Sequence, residues 1–203
     1  LRTEGGGRLN YYQVLLKGMT SRIYNVNTKV SYHSAIFENM GSVHGDCNID
    51  TLIFGGSGSV YDSDSINFLR FDGPDGNVIG GNHSINTLLF EINGTISGNN
   101  YIDSAVIRGR GNISGVNKIN KTLIIGGKAT IAGMNELGHT VLLNDGYISG
   151  ENLFKSLKVT PGNLYELEDN VSQFITNQLT IRGNNCFPIT LRSQLQGQQA
   201  IIT

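Results

Sequence analysis

Between Gly41 and Val159 the apolar residues recur at offsets that suit neither a helix nor a simple alternating strand. Seven anchor positions, Gly45, Asp62, Gly81, Gly98, Gly115, Gly133 and Gly150, are spaced by 17, 19, 17, 17, 18 and 17 residues. Two places before each anchor stands an aliphatic residue: Val43, Val60, Ile79, Ile96, Ile113, Ile131, Ile148. Four places after come Ile49, Ile66, Ile85, Ile102, Ile119, Leu137 and Phe154, and nine places after come Phe54, Phe71, Phe90, Ile107, Ile124, Leu142 and Val159. An apolar residue every five or six positions wanders around a 3.6-residue cylinder, so it cannot mark a helical stripe. Short extended pieces joined by turns can use it, and three inward residues per repeat describe one turn of a three-sided coil. Self-similarity at this period predicts an all-β solenoid, a single-stranded parallel β-helix with three short strands per rung of about 17–18 residues.

The polar positions fit the same plan. Four places before the anchors stand Gly41, Gly58, Asn77, Gly94, Gly111, Ala129 and Gly146, mostly residues that tolerate positive φ in turns. Two places after the later anchors stand Asn100, Asn117, Asn135 and Asn152, and five places after stand Asp50, Asn67, Asn86, Asp103 and Asn120. Like residues on successive rungs lie above one another, so these predict Asn/Asp ladders that bond along the stack and satisfy turn backbone groups.

The register divides the chain into three stretches. Residues 1–25 read as irregular first rungs, strand-like from Leu9 to Leu16, with Lys17 to Tyr24 inserted between rungs. Residues 26–159 are the regular rungs, beginning with Val26, Tyr32 and Phe37, each 17 before its counterpart in the next rung. Residues 160–203 continue with longer strands at Leu164 to Leu167, Phe174 to Ile175, Leu179 to Ile181, Ile189 to Leu191 and Ala200 to Ile202. Both ends fall inside strand-like sequence, which is the expectation for a segment of a larger polypeptide.

Composition narrows the function classes. A net charge of −1 and a charged fraction of 15%, against roughly 25% on average, give no basic footprint for nucleic acid, and the close pair Arg108 and Arg110 reads as a solvated turn. No stretch has the length and apolarity of a membrane span. Cys47 and Cys186 lie about eight rungs apart and so cannot form a disulfide. Cys47 falls at the position that later rungs give to Asn.

The C-terminal stretch resembles a segment of very large surface proteins of the Bacteroidetes. In that segment a Gly-x-x-Tyr piece leads to a strand, then Gly-x-x-x-x-Pro-Ile-x-Leu-Arg-Ser, then Gly-x-x-Ala-x-Ile. Here the pieces are Gly162 with Tyr165; Gly183, Pro188, Ile189, Leu191, Arg192 and Ser193; and Gly197, Ala200 and Ile202. The resemblance implies a secreted, extracellular cell-surface adhesin of the gliding-motility and type 9 secretion kind. Its partners would be surface glycans or host and substratum surfaces, the outer-membrane secretion machinery, and the remainder of its own long polypeptide. It brings no shared catalytic residues. With the recurring 17 it favours a right-handed coil. Asp50-Thr51-Leu52, Asp64-Ser65-Ile66 and Asp103-Ser104-Ala105 look like O-glycosylation acceptors of that phylum, although the repeat grammar generates such triplets by itself.

Two rival readings remain open. A carbohydrate-active β-helix, lyase or hydrolase, needs two carboxylates on one face, roughly 5–9.5 Å apart; the best local group is Asp62, Asp64, Asp72 and Asp75. The third possibility is an autotransporter passenger or viral fibre. The turn Asp72-Gly73-Pro74-Asp75-Gly76-Asn77 offers Asp72, Asp75 and Asn77 as candidate calcium ligands, since calcium takes six to eight oxygens, yet it is equally good turn chemistry without an ion. Gly55-Gly56-Ser57-Gly58-Ser59-Val60 lacks the ligand Asp of a calcium-binding repeat. Gly126-Gly127-Lys128 lacks the rest of a phosphate loop, and His33, His44, His83 and His139 fall on different rungs without zinc-ligand spacing. The expected function is therefore a non-enzymatic structural or adhesive segment.

Overall fold

The computed structural model describes residues 2–4, 8–26 and 29–203, with side chains for 9–25 and 30–203. All regular structure among them is extended. Strands alternate between two sheets of eleven, each strand pairing with those two before and two after it in the chain, and every pairing is parallel. Parallel neighbours two elements apart, with no helix between, mean that the chain coils and stacks on itself. The fold is a parallel β-helix.

The first sheet takes the short strands, such as Gly58–Tyr61, Asn93–Gly98 and Ala129–Gly133. The second takes the longer ones, such as Cys47–Phe54, Ser84–Phe90 and Glu136–Leu142. Each long strand bends once. Pairing passes from Ile66–Ile85 directly to Phe68–Thr87, stepping over Asn67 and Asn86, and on the next rung from Ile85–Ile102 to Thr87–Ser104. Each rung thus has three apolar sides, as the spacing predicts, but two hydrogen-bonded strands instead of three, because the corner is turned by a bend within the strand.

The interior is a set of columns. Val43, Val60, Ile96, Ile113, Ile131 and Ile148 are fully buried in one, and Ile49, Ile66, Ile85, Ile102, Ile119, Leu137 and Phe154 in another. Where the expected register fails, one extra residue is the reason. Val78, not Ile79, pairs with both Val60 and Ile96, and Gly76, not Asn77, pairs with Gly58 and Gly94. The Asp72–Asp75 turn carries one residue more than its counterpart on the rung before, and Gly80 and Gly81, both at positive φ, carry a second. Likewise Ile125 and not Ile124 pairs with Ile107, since the corner at Asn120 and Lys121 has one residue more than that at Asp103. Near the N-terminus, Lys17 to Tyr24 is no insertion. It contributes the strand Thr20–Val26, whose Ile23 pairs with Val43 in the place expected for Val26.

A further column lies between the repeat positions: Ala35, Leu52, Leu69, Leu88, Ala105, Leu123, Thr140 and Leu157, all buried. Beside it Phe37, Phe54, Phe71 and Phe90 stack with centroids 4.6, 4.9 and 4.8 Å apart. Rung spacing of about 4.8 Å brings parallel rings into contact, and each such pair adds about 0.5–1.5 kcal/mol beyond burial.

The residues of the C-terminal resemblance close the last rungs. Tyr165 is buried, donates its hydroxyl to the Leu142 carbonyl at 3.2 Å and accepts the Thr160 N–H at 3.1 Å. Arg192 pairs with Glu166 at 2.6 Å, and the Gly162 N–H reaches the Pro188 carbonyl at 3.0 Å.

Candidate functional site

One column inside the solenoid is polar. It descends through Cys47, Asp64, His83, Asn100, Asn117, Asn135, Asn152 and Gln173, all buried. The Asn residues behave as their spacing predicts. Asn117 Nδ2 donates to the Ser114 carbonyl at 2.7 Å and to Asn135 Oδ1 at 2.9 Å. Its own Oδ1 accepts from Asn100 Nδ2 at 2.7 Å and from the Asn100 backbone N–H at 3.3 Å. The pattern repeats at Asn135 on Asn152, and Asn152 hands on to Gln173 Oε1 at 3.0 Å. Each amide therefore closes its own turn and ties two rungs together. A polar group sealed from water is tolerated only when so bonded.

Towards the N-terminus this column becomes titratable. Asp64 Oδ1 accepts the Cys47 N–H at 2.9 Å, and the Asp64 N–H donates to His83 Nδ1 at 3.2 Å. His83 Nε2 then lies 3.4 Å from the Ile79 carbonyl, which assigns the proton to Nε2. Burial pushes the Asp64 carboxyl up to about 8, against weaker opposition from its hydrogen bonds to Cys47. Burial likewise holds His83 below its ordinary range and raises the Cys47 thiol, which also faces the Asp64 carboxyl. At neutral pH both Asp64 and His83 are therefore uncharged, and their 3.7 Å approach is no ion pair. Asp64 Oδ2 has no hydrogen-bond partner among the described residues. Asn25 Nδ2 approaches Cys47 Sγ at 2.7 Å from the rung before.

The acidic group proposed from the sequence is divided. Asp62, at φ 72°, is exposed and accepts the Gly45 N–H at 2.7 Å, whereas Asp64 faces inward. Asp72 and Asp75 lie beyond the strand Ser65–Phe71. The candidate calcium residues each turn to a different neighbour: Asp72 to the Arg70 guanidinium, Asp75 to Asn93 Nδ2 at 3.4 Å and Asn77 to Ser59 Oγ at 3.4 Å. Of the histidines, His83 belongs to the interior column, while His33 meets Asp50 at 2.9 Å and His139 meets Ser156 at 2.8 Å across adjacent rungs. His44 stacks on Tyr61 with centroids 4.5 Å apart. The outer corner ladder also forms, with Asn86 on Asn67 at 2.9 Å and Asn120 on Asp103 at 3.2 Å. Among the described residues no three His, Cys, Asp or Glu side chains gather as a metal site.

On the outside, the first sheet carries a groove of about 500 Å³ along the solenoid axis. One wall is the row Asp75, Asn93, Arg110 and Lys128; the other is Asn77, Thr95, Asn112 and Thr130. Between them lie Gly76, Gly94 and Gly111, whose Cβ direction is inward, against Phe71, Phe90 and Ile125, so the outer floor is peptide backbone, as between any two outward residues of a strand. Sequence reasoning missed it. Arg110 and Lys128 fall in different local contexts, and only the register Gly111↔Ala129 sets them side by side. Comparison with protein-family models, with curated proteins and with solved structures finds no match to this chain.

Proposed function

We propose that this chain is a non-enzymatic, adhesive segment of a large secreted bacterial cell-surface protein, a stiff solenoid whose outside makes the contacts. The observation that carries the reading is the division of chemistry across the wall. The acid–base groups that could serve catalysis, Asp64 and His83, are 2% and 1% exposed and bonded into the interior column, out of reach of a substrate. The outside instead repeats one hydroxyl or amide per rung, as in Ser42, Ser59, Asn77, Thr95, Asn112 and Thr130. Rows with a period of about 4.8 Å suit a polymeric partner with its own short repeat, such as a surface glycan. The extracellular setting rests on the resemblance of Gly162 to Ile202.

The test uses the 203-residue chain coupled to beads and presented to polysaccharide-coated surfaces. Retention on some of these surfaces, with no oligosaccharide released into solution, is the expected result. Steady release of sugar fragments, abolished by Asp64→Asn, would establish the carbohydrate-active reading in its place.

A further inference from the structure

We infer that the outer groove between Asp75 and Lys128 is a binding site for an acidic glycan, a chain bearing carboxylate or sulfate groups laid along the solenoid axis. The inference rests on the adhesive reading and names its ligand class.

Geometry comes first. The strands Asp75–Ile79, Asn93–Gly98, Gly111–Gly115 and Ala129–Gly133 run in register, so both walls advance by one side chain per rung. A volume of about 500 Å³ is within the range of small-ligand clefts, and the floor between the two walls is peptide backbone, because the residues between them face the core. The wall of Asn77, Thr95, Asn112 and Thr130 offers donors and acceptors at each step, the chemistry that ring hydroxyls require.

Charge then selects among glycans. The basic side chains of the turns leading to this face are already engaged: Arg70 with Asp72 and Glu91, and Arg108 with Glu91 at 3.0 Å. Arg110 and Lys128, on adjacent rungs of the same wall, have no ion-pair partner among the described residues. The nearest acids on that row lie beyond them on either side. Asp75 is two rungs from Arg110 and holds Asn93 Nδ2 at 3.4 Å; Asp145, one rung past Lys128, accepts the Leu164 N–H at 2.8 Å. The half of the groove away from Asp75 thus carries a pair of unneutralised cations beside neutral polar side chains. A guanidinium forms bidentate bonds with carboxylate or sulfate oxygens, and an ammonium adds a point charge. Two cations and no aromatic platform in the groove are too little for a nucleic-acid strand, whose affinity comes from many phosphate contacts and base stacking.

The test measures calorimetric binding of four probes to the whole chain: a galacturonate hexamer, a heparin hexasaccharide, cellohexaose and a single-stranded oligonucleotide. At least one acidic hexamer should bind, the first arm reporting carboxylate and the second sulfate, and binding should weaken as salt rises. Arg110→Gln with Lys128→Gln should lower that affinity at least tenfold without changing the thermal melt. Lys155→Gln with Lys158→Gln, the same charge change elsewhere, should not. Failure of both acidic hexamers to bind, equal binding by the groove double variant, or binding of cellohexaose or the oligonucleotide as tight as that of the acidic hexamers would overturn the site. Bead adhesion that survives in the groove double variant would remove this site and leave the adhesive reading standing, whereas wild-type beads that adhere to no polysaccharide would remove both.

Discussion

At the residue scale the interior Asn ladder is the most demanding part of the fold. Asn117 donates both amide hydrogens and accepts twice, with bonds of 2.7–3.3 Å that leave little slack. Asn117→Ala should cost about 2–4 kcal/mol, since it strands partners on both neighbouring rungs. Asn117→Asp should cost more, because a buried carboxylate would face the Ser114 carbonyl and Asn135 Oδ1 with no hydrogen to offer. Urea denaturation of both, with the exposed-ladder variant Asn120→Ala as a reference expected to shift by less than about 1 kcal/mol, checks the order. Thr140 supplies the opposite case. Its hydroxyl is buried without a hydrogen-bond partner among the described residues, in a column otherwise made of Leu and Ala, so Thr140→Val should stabilise by about 1 kcal/mol in the same assay.

Asp64 makes stability depend on pH. Its carboxyl is raised from 3.8 to about 8 in the fold, so between those values the native state holds a proton that the unfolded chain releases. The stability this contributes is complete below the unfolded value and is lost as pH rises towards 8, with a slope of at most about 1.4 kcal/mol per pH unit. His83, depressed by burial, acts with the opposite sign. Its contribution is present above its ordinary 6.5 and is lost as pH falls through its lower folded value. Asp64→Asn restores the amide used on later rungs and should flatten the decline between pH 5 and 9. Denaturation midpoints at pH 5, 7 and 9 that fall equally in wild type and variant would contradict the assignment.

At the scale of the element, side-chain volume is shared between the two ends of each turn. A Cβ at Gly58 would fall inside the Phe54 ring, and the same holds for Gly41 under Phe37 and Gly94 under Phe90. The aromatic column gives way to Ile107 and then Ile125; the strand after Ile107 still begins with Gly111, and the one after Ile125 begins with a buried Ala129. Gly58→Ala should therefore lower the melting temperature sharply, by 5 °C or more on the order-of-magnitude scale of core overpacking, and Phe54→Leu in the same chain should recover part of the loss. The anchor glycines are held by backbone geometry instead. Gly115 and Gly133 sit at φ 100° and 103°, and a Cβ on either would strike the carbonyl of the anchor one rung earlier.

Much of this was legible from residue spacing. The parallel coil, the Val/Ile columns and both Asn ladders follow from the period, because identical rungs place identical side chains in contact. Misplaced residues such as Ile79 and Ile124 lie where a turn or corner has gained one residue, which inverts the side-chain phase without changing the apolar character of the run. The titratable end of the interior column was harder to see. Asp64 sits between the exposed Asp62 and Ser65 and reads as part of an acidic turn, and only alignment with Asn100 through His83 shows it pointing inward. The Arg110–Lys128 groove depends on register across rungs, which local sequence does not display.

At the scale of the whole molecule, stability is a sum over rungs and their interfaces, so no single core holds the chain together. Any load along the axis would fall on the two ladders of eleven described strands and on the interior amide column. If the proposed adhesive role holds, the segment should resist stretching until rungs peel away one at a time. Optical-tweezer extension between the two ends tests this most directly. The account predicts no lengthening at low force, then steps that are multiples of about 60 Å, the contour of one rung at about 3.3–3.6 Å per residue. Smooth extension from the lowest forces, with no rung-sized steps, would contradict a stiff load-bearing solenoid.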